Sequence, residues 1–314
     1  MVYIAILAGG RRKNYIRGAP KCFLRMPDGR TIVEHLLEEI HRIPSIKGVA
    51  VVGPREGLAS IDKHLLHARR STIVLVDQRQ TQFENIYAAK EALVKHFRIP
   101  KAEDKGIIYL MGDTPFRQAH SIKEFILQID TAYDFINSLI PEKTFHSYCS
   151  LFKKPLIPLH IDGKLNLFKE ANMMYLNADR INPDLATAIY ANRHSGRITE
   201  ALRLRKMAKQ LVGNQGLAMI TTYFLARTWH RALRRFTPRC VHTPSKLFKR
   251  LDIDKASDMV GRAMKLRVGM VFSSFPDGYI DLDTRRDYDK IVARYSQIKD
   301  HIEDDCANRL IEND

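Results

Sequence analysis

Four short apolar runs punctuate the first 120 residues: Tyr3–Leu7, Gly48–Val52, Thr72–Val76 and Ile107–Met111. Each is rich in β-branched residues and apolar at every position rather than at alternate ones. Strands buried on both faces of a parallel sheet read this way. Between them the period changes. Thr31–Ile43 carries Ile32, Val33, Leu36, Leu37 and Ile40 on one side, and Phe83–Phe97 carries Ile86, Ala89, Leu93 and Phe97. Both spacings predict helices, and the alternation predicts an α/β fold with right-handed crossovers. A further helix is expected over Ser121–Asp134. Residues 148–177 read as mixed, with Pro155 and Pro158 confining any strand to an edge. A strand is expected at Gly269–Phe272, and a polar helical tail from Thr284 onward. There are no internal repeats.

Composition narrows the class. Hydrophobic residues make up 45% of the chain and charged residues 27%, the balance of a folded protein rather than a disordered one. No apolar run reaches the roughly 18–20 residues that span a bilayer. The N-terminal run is too short for a secretory signal and has no basic residues before it. The four cysteines, Cys22, Cys149, Cys240 and Cys306, show no CxxC spacing, so reduced thiols and a cytoplasmic location are expected.

The formal net charge is +16, and its distribution is uneven: between Arg197 and Arg250 there are 13 Lys or Arg and one acid, Glu200. Three units are therefore expected: 1–196 as an α/β core, 197–262 as a basic helical insertion, and 263–314 as a return to the core with a C-terminal helix. In the insertion, Leu225, Trp229, Ala232 and Phe236 share one helical face while Arg231 and Arg235 lie on another. Such a segment suits a solvated face of a helical subdomain, or peripheral contact with an acidic inner membrane surface through 197–250. Nucleic acid is disfavoured, because no recognition motif or base-stacking aromatic platform is present.

Three stretches carry candidate chemistry. The first strand runs into Leu7-Ala8-Gly9-Gly10 and then a basic loop, Arg11-Arg12-Lys13-Asn14-Tyr15-Ile16-Arg17-Gly18-Ala19-Pro20-Lys21. Two glycines after a buried strand let backbone N–H groups approach an anion, and the cations neutralise it. The spacing is neither a Walker loop nor GxGxxG. The second stretch, Gly112-Asp113-Thr114-Pro115, places an acid just past the fourth strand, where α/β sheets bind ligands. A hard carboxylate there suits Mg²⁺, which takes its remaining ligands from water and phosphate. The third is Ile280-Asp281-Leu282-Asp283-Thr284-Arg285-Arg286-Asp287-Tyr288. Asp281 and Asp283 share a face of an extended segment, so that one acid can meet a metal while the other helps to open the last helix.

In order and spacing these motifs resemble the nucleotidyltransferases of the molybdenum-cofactor guanylyltransferase-like (MobA-like) group. These share the sugar-nucleotide pyrophosphorylase fold, a Rossmann-like, doubly wound, mostly parallel sheet. The resemblance implies Mg²⁺-dependent transfer of an NMP from an NTP to a phosphorylated small-molecule or lipid-head-group acceptor, with release of pyrophosphate. It implies nucleotide binding by Leu7, Ala8, Gly9, Gly10, Lys21 and Gly112, with catalytic cations at Lys21, Arg11 and Arg12. It puts the metal on Asp113, which is also catalytic, and Asp281. Base contacts would come from Gly53-Pro54-Arg55 and from Asp77-Gln78-Arg79-Gln80, with Gln78 foremost. The acceptor would meet Lys169-Glu170-Ala171-Asn172, through Asn172. The chain departs from the group's pattern at Asn14, near the place where an Arg is usual; Arg11, Arg12 or Arg17 is the substitute. The alternative reading is a non-catalytic nucleotide- or anion-binding protein docked on acidic membrane through its basic segment.

Overall fold

A computed structural model describes residues 2–10, 15–66, 72–100, 106–152, 154, 156–162, 164–181 and 252–313. Arg11, Arg12, Asn14 and the basic segment 197–250 lie outside the described residues.

The described residues form an eight-stranded sheet between helices. Its first three strands are β1 (Val2–Leu7), β2 (Ile46–Gly53) and β3 (Thr72–Asp77). The next three are β4 (Ile107–Met111), β5 (Phe135–Pro141) and β6 (Ile157–Ile161), and the last two are β7 (Lys164–Leu176) and β8 (Val268–Phe272). The path across the sheet is β3-β2-β1-β4-β7-β5-β8, with β6 paired to β7. β1 pairs in parallel with both β2 and β4, and β7 runs antiparallel to β4, β5 and β6. The first four strands match the apolar runs of the sequence, but the expectation of burial on both faces is corrected for β3, which ends the sheet path and leaves Thr72 and Leu75 exposed. Along β1, Ile4 and Ile6 enter one core cluster and Ala5 and Leu7 the other. Burial on both faces is what the unbroken apolar run demands.

Helices α1 (Ile32–His41), α2 (Arg55–Leu58), α3 (Lys63–Leu66) and α4 (Gln82–Phe97) belong to the first half. α5 (Ala119–Gln128) and α6 (Glu142–Phe145) follow, then α7 (Ile253–Met264), α8 (Arg285–Ala293) and α9 (Tyr295–Asn313). α1, α5 and residues of the last two helices pack on one face, and α4 packs on the other. Capping boxes open three of the helices: Thr31 with Glu34, Thr81 with Glu84, and Thr284 with Asp287. Each cap stabilises its helix by roughly 1 kcal/mol. None of the described helices is long and apolar enough to cross a membrane.

The helix expected over Ser121–Asp134 is corrected. It spans Ala119–Gln128 and is followed by a turn into β5. Asp130 drives the stop: its side chain accepts from the Ala132 N–H at 2.8 Å and its carbonyl from the Tyr133 N–H at 3.1 Å. These local bonds compete with the helical ladder. The region read as mixed holds β6 and the 13-residue β7. Pro158 sits in β6, which among the described strands pairs with β7.

Candidate active site

β1 and β4 are neighbours, so the turns after them lie side by side at the carboxyl end of the sheet. The Ala8 N–H donates to the Val52 carbonyl at 2.8 Å and the Gly112 N–H to the Leu7 carbonyl at 3.1 Å. A Cβ at Gly112 would stand 3.1 Å from the Ala8 Cα. A side chain there would press the two turns apart by a few tenths of an ångström. This end of the sheet opens into a cavity of about 1590 Å³. Its lining includes Leu7, Gly9, Gly10, Lys21, Gln78, Asp113, Lys169, Asn172, Asp281 and Asp283. Residues more than 270 positions apart are thus gathered at one surface.

Gln78 bonds the glycine turn twice. The Gly10 N–H donates to Gln78 Oε1 at 2.9 Å, and Gln78 Nε2 donates to the Gly10 carbonyl at 3.3 Å. Its amide thus fixes the backbone of the turn. The adjoining loop is held by Asn85, whose Oδ1 accepts from the Arg79 N–H at 2.6 Å. Asp77 pairs with Arg55 at 2.8 Å on the surface.

Lys21 follows a hairpin in which Ile16 and Ala19 bond each other's backbone at 2.9 and 3.0 Å. Its Nζ donates to Asp113 Oδ2. Burial pulls the Lys21 ammonium down, but the facing Asp113, the hydrogen bond to it and the more distant Asp283 outweigh this and hold it above its ordinary value. Lys21 is thus favoured as a cation on the cavity wall. Arg17, a candidate for the phosphate cation, is committed elsewhere. It pairs with Asp289 at 2.9 Å and covers the Tyr288 ring at 5.3 Å.

The late acidic motif reaches the same place. The Leu282 N–H donates to the Asp113 carbonyl at 2.9 Å, tying the segment that carries Asp281 and Asp283 to the turn after β4. Asp281 is buried and meets two lysines. Lys169 Nζ donates to its Oδ2 at 3.0 Å, and Lys154 Nζ stands 2.6 Å from its Oδ1. The second contact is a buried ion pair. Burial alone would raise the Asp281 carboxyl; Lys169 and Lys154 override it and bring it down to about 2. Asp283 moves the other way, raised by burial and by neighbouring Asp281.

Asn172 completes the wall. The register between β5 and β7 shifts between Asn137 and Leu139, leaving a bulge in β7 around residues 171–173. Asn172 takes φ 59° there, a left-handed conformation that Asn tolerates better than most residues. The bulge aims its Nδ2 at Asp281 Oδ2, 3.3 Å away. Behind the bulge lies a buried brace. Arg117 Nη2 donates to the Ala171 carbonyl and its Nη1 pairs with Asp277 at 3.3 Å. Asp277 also accepts from Ser121 Oγ and, at 2.7 Å, from the Gln118 N–H.

Among the described residues no three His, Cys, Asp or Glu side chains form a metal cage. Mg²⁺ needs none, since one or two carboxylates with water and phosphate suffice. Asp113 and Asp281 supply two hard carboxylates on one cavity, each now neutralised by lysine ammonium groups whose charge a cation could replace. The donor set therefore fits such an ion. Sequence reasoning missed Lys154, Arg117 and Asp277; lysine in a mixed stretch and acids near turns carry no distinguishing pattern. Lys169 was included only as part of the acceptor segment.

A sheet whose strand order reverses at β1, with a glycine turn, a lysine and two acids at its carboxyl end, has the form of an α/β nucleotide-handling protein. The description "MobA-like NTP transferase domain" matches residues 4–160. The chain belongs to this family and is a nucleotidyltransferase. Comparison with curated proteins found no match. Among solved structures, the fold is similar to a hypothetical transferase from Thermus thermophilus, with TM-score 0.60 and 17% identity over 91% of this chain and 98% of that one. Weaker similarity is found to the 4-diphosphocytidyl-2C-methyl-D-erythritol synthase of Anaerococcus prevotii (TM-score 0.42, 15% identity, 94% and 96% covered). The inositol-1-phosphate CTP transferase of T. maritima is similar at TM-score 0.39 and 15% identity, with 62% and 74% covered.

Proposed function

We propose that this protein transfers an NMP from an NTP to a phosphorylated acceptor, with Mg²⁺ held by Asp113 and Asp281. The observation that carries the proposal is the 2.9 Å bond from Leu282 to the Asp113 carbonyl. It sets the two acid-bearing segments against each other beside Lys21 and the Gly9-Gly10 turn.

An acceptor phosphate oxygen attacks the α-phosphorus of the NTP. The bond from that phosphorus to the bridging oxygen breaks, and pyrophosphate leaves with the electron pair. The acceptor phosphate is already ionised at neutral pH, so the step needs no side-chain base. The protein's work is positioning and charge neutralisation. The backbone of Gly9 and Gly10, fixed by Gln78, receives the nucleotide. Lys21 faces the phosphates and stabilises the charge that builds on the departing pyrophosphate. Asn172, on the cavity wall beside Asp281, meets the acceptor in this reading. The metal, when bound, neutralises phosphate oxygens and aligns them for in-line displacement.

The test is pyrophosphate release across a panel of NTPs, each with phosphorylated sugars, polyols and lipid head groups. Release that requires one NTP, one class of acceptor and Mg²⁺ supports the proposal. Release that is independent of acceptor, or absent from every combination, refutes it.

A further inference from the structure

Two lysines with 4% and 6% of their side chains exposed, Lys154 and Lys169, converge on Asp281. They are not equivalent. Lys154 Nζ touches the Asp281 carbonyl at 2.6 Å and the carboxylates of Asp281, Asp283 and Asp287 at 2.6, 3.0 and 3.4 Å. Asp283 and Asp287 alone would compensate it, and it pins the chain leading into α8. Lys169 Nζ has one carboxylate oxygen, Asp281 Oδ2 at 3.0 Å, and one carbonyl, that of Glu170 at 3.2 Å. Lys169 also lines the cavity, whereas Lys154 does not.

The consequence lies in what Asp281 Oδ2 already holds. An ammonium and the Asn172 amide both donate to it. A divalent cation on the same carboxylate would stand close to the Lys169 ammonium, and like charges at that separation repel strongly where water is scarce. Lys154 is fixed by other acids and stays. Lys169, with its single carboxylate and its place on the cavity wall, is the group that yields.

Resting on the metal reading above, we propose that Lys169 is an internal counter-ion that occupies Asp281 until the divalent metal binds. It is then displaced from Oδ2 and presents its ammonium to a substrate phosphate in the cavity. Lys169 is thereby a phosphate-binding residue of the reaction, kept next to Asn172 by the same strand.

The test is titration of the full chain with Mn²⁺, followed by electron paramagnetic resonance of the free ion, without nucleotide. Removing the competing ammonium in Lys169→Met is expected to tighten Mn²⁺ binding about tenfold, equivalent to about 1.4 kcal/mol. Lys169→Gln should shift it in the same direction, and it replaces the Met variant if that one loses its circular dichroism spectrum. Adding Asp281→Asn to either variant should abolish the gain. Inorganic phosphate should bind the Mn²⁺-loaded wild type at least fivefold more tightly than the Mn²⁺-loaded Lys169 variant. Unchanged Mn²⁺ affinity in both Lys169 variants, with Asp281→Asn still weakening the wild type, overturns this inference alone. Equal phosphate affinity overturns the hand-over. Mn²⁺ affinity indifferent to Asp281→Asn in every background overturns the metal reading itself.

Discussion

Removing Asp277 is expected to damage the protein more than removing any exposed acid. Its side chain is fully buried, with 0% exposure, against an Arg117 side chain at 1%. Asp277→Ala leaves the Arg117 guanidinium without its counter-ion and takes partners from Ser121 Oγ and the Gln118 N–H. Breaking one side of a buried pair costs about 3–5 kcal/mol. At roughly 2–4 °C per kcal/mol for a domain of this scale, the melting temperature should fall by about 6–20 °C. Arg117→Met should cost a similar amount, because it strands the Asp277 carboxylate. The double variant Arg117→Met/Asp277→Ala buries no charge. It still orphans the Ala171 carbonyl and the Gln118 N–H, at about 1–3 kcal/mol each. Its cost should therefore fall below the sum of the singles by about 2 kcal/mol or more. Urea denaturation of the four proteins measures this coupling. Additive costs, or singles that each cost under about 1 kcal/mol, would refute the reading of this pair as a brace behind the Asn172 bulge.

Three further outcomes are expected. Asp113→Asn should abolish pyrophosphate release while leaving the melting temperature within about 2 °C of wild type, since Lys21 keeps an amide partner; full turnover would remove Asp113 from the metal site. Gln78→Ala should weaken NTP binding about tenfold in a calorimetric titration, from two hydrogen bonds to Gly10 at about 0.5–1.5 kcal/mol each; unchanged affinity would show that the glycine turn holds its shape unaided. Burial pushes the Asp28 carboxyl up, but His35 and the Tyr295 hydroxyl more than offset it and hold it below its ordinary value. Its contribution to stability is thus complete above the ordinary carboxylate range and lost as pH falls through the depressed value. Asp28→Asn should flatten the acid limb of a stability–pH curve, and an identical limb would refute the assignment.

The half of the fold that the sequence discloses is the half with unmixed signals. β1 to β4 are unbroken apolar runs, and α1 and α4 carry clean 3.6-residue periods with Thr-x-x-Glu boxes at their starts. β5 is harder to see. Asn137 and Ser138 interrupt its apolar run, and the helix before it ends on an Asp130 turn that periodicity alone does not show. β7 alternates for 13 residues but is broken by the bulge at Asn172, so that neither a strand nor a helix period persists. The site divides in the same way. Gly9, Gly10, Lys21, Gly112 and Asp113 sit at fixed offsets from legible strands and are readable for that reason. Gln78 could be singled out from its position after β3, but not its bond to the Gly10 backbone. That Lys154 and Lys169 share Asp281 depends on the antiparallel return of β7 and on the path of residues 277–284. Such long-range pairing leaves no local trace.

The central claim is that the turn after β1 and two distant acids converge on one metal-bound triphosphate. Its most direct test is anomalous diffraction from crystals grown with Mn²⁺ and a non-hydrolysable NTP analogue. The account predicts a single Mn²⁺ peak contacting carboxylate oxygens of both Asp113 and Asp281, with the phosphate chain beside Lys21 and the Gly9-Gly10 backbone. A peak that touches neither acid, or a nucleotide bound away from the glycine turn, would contradict it.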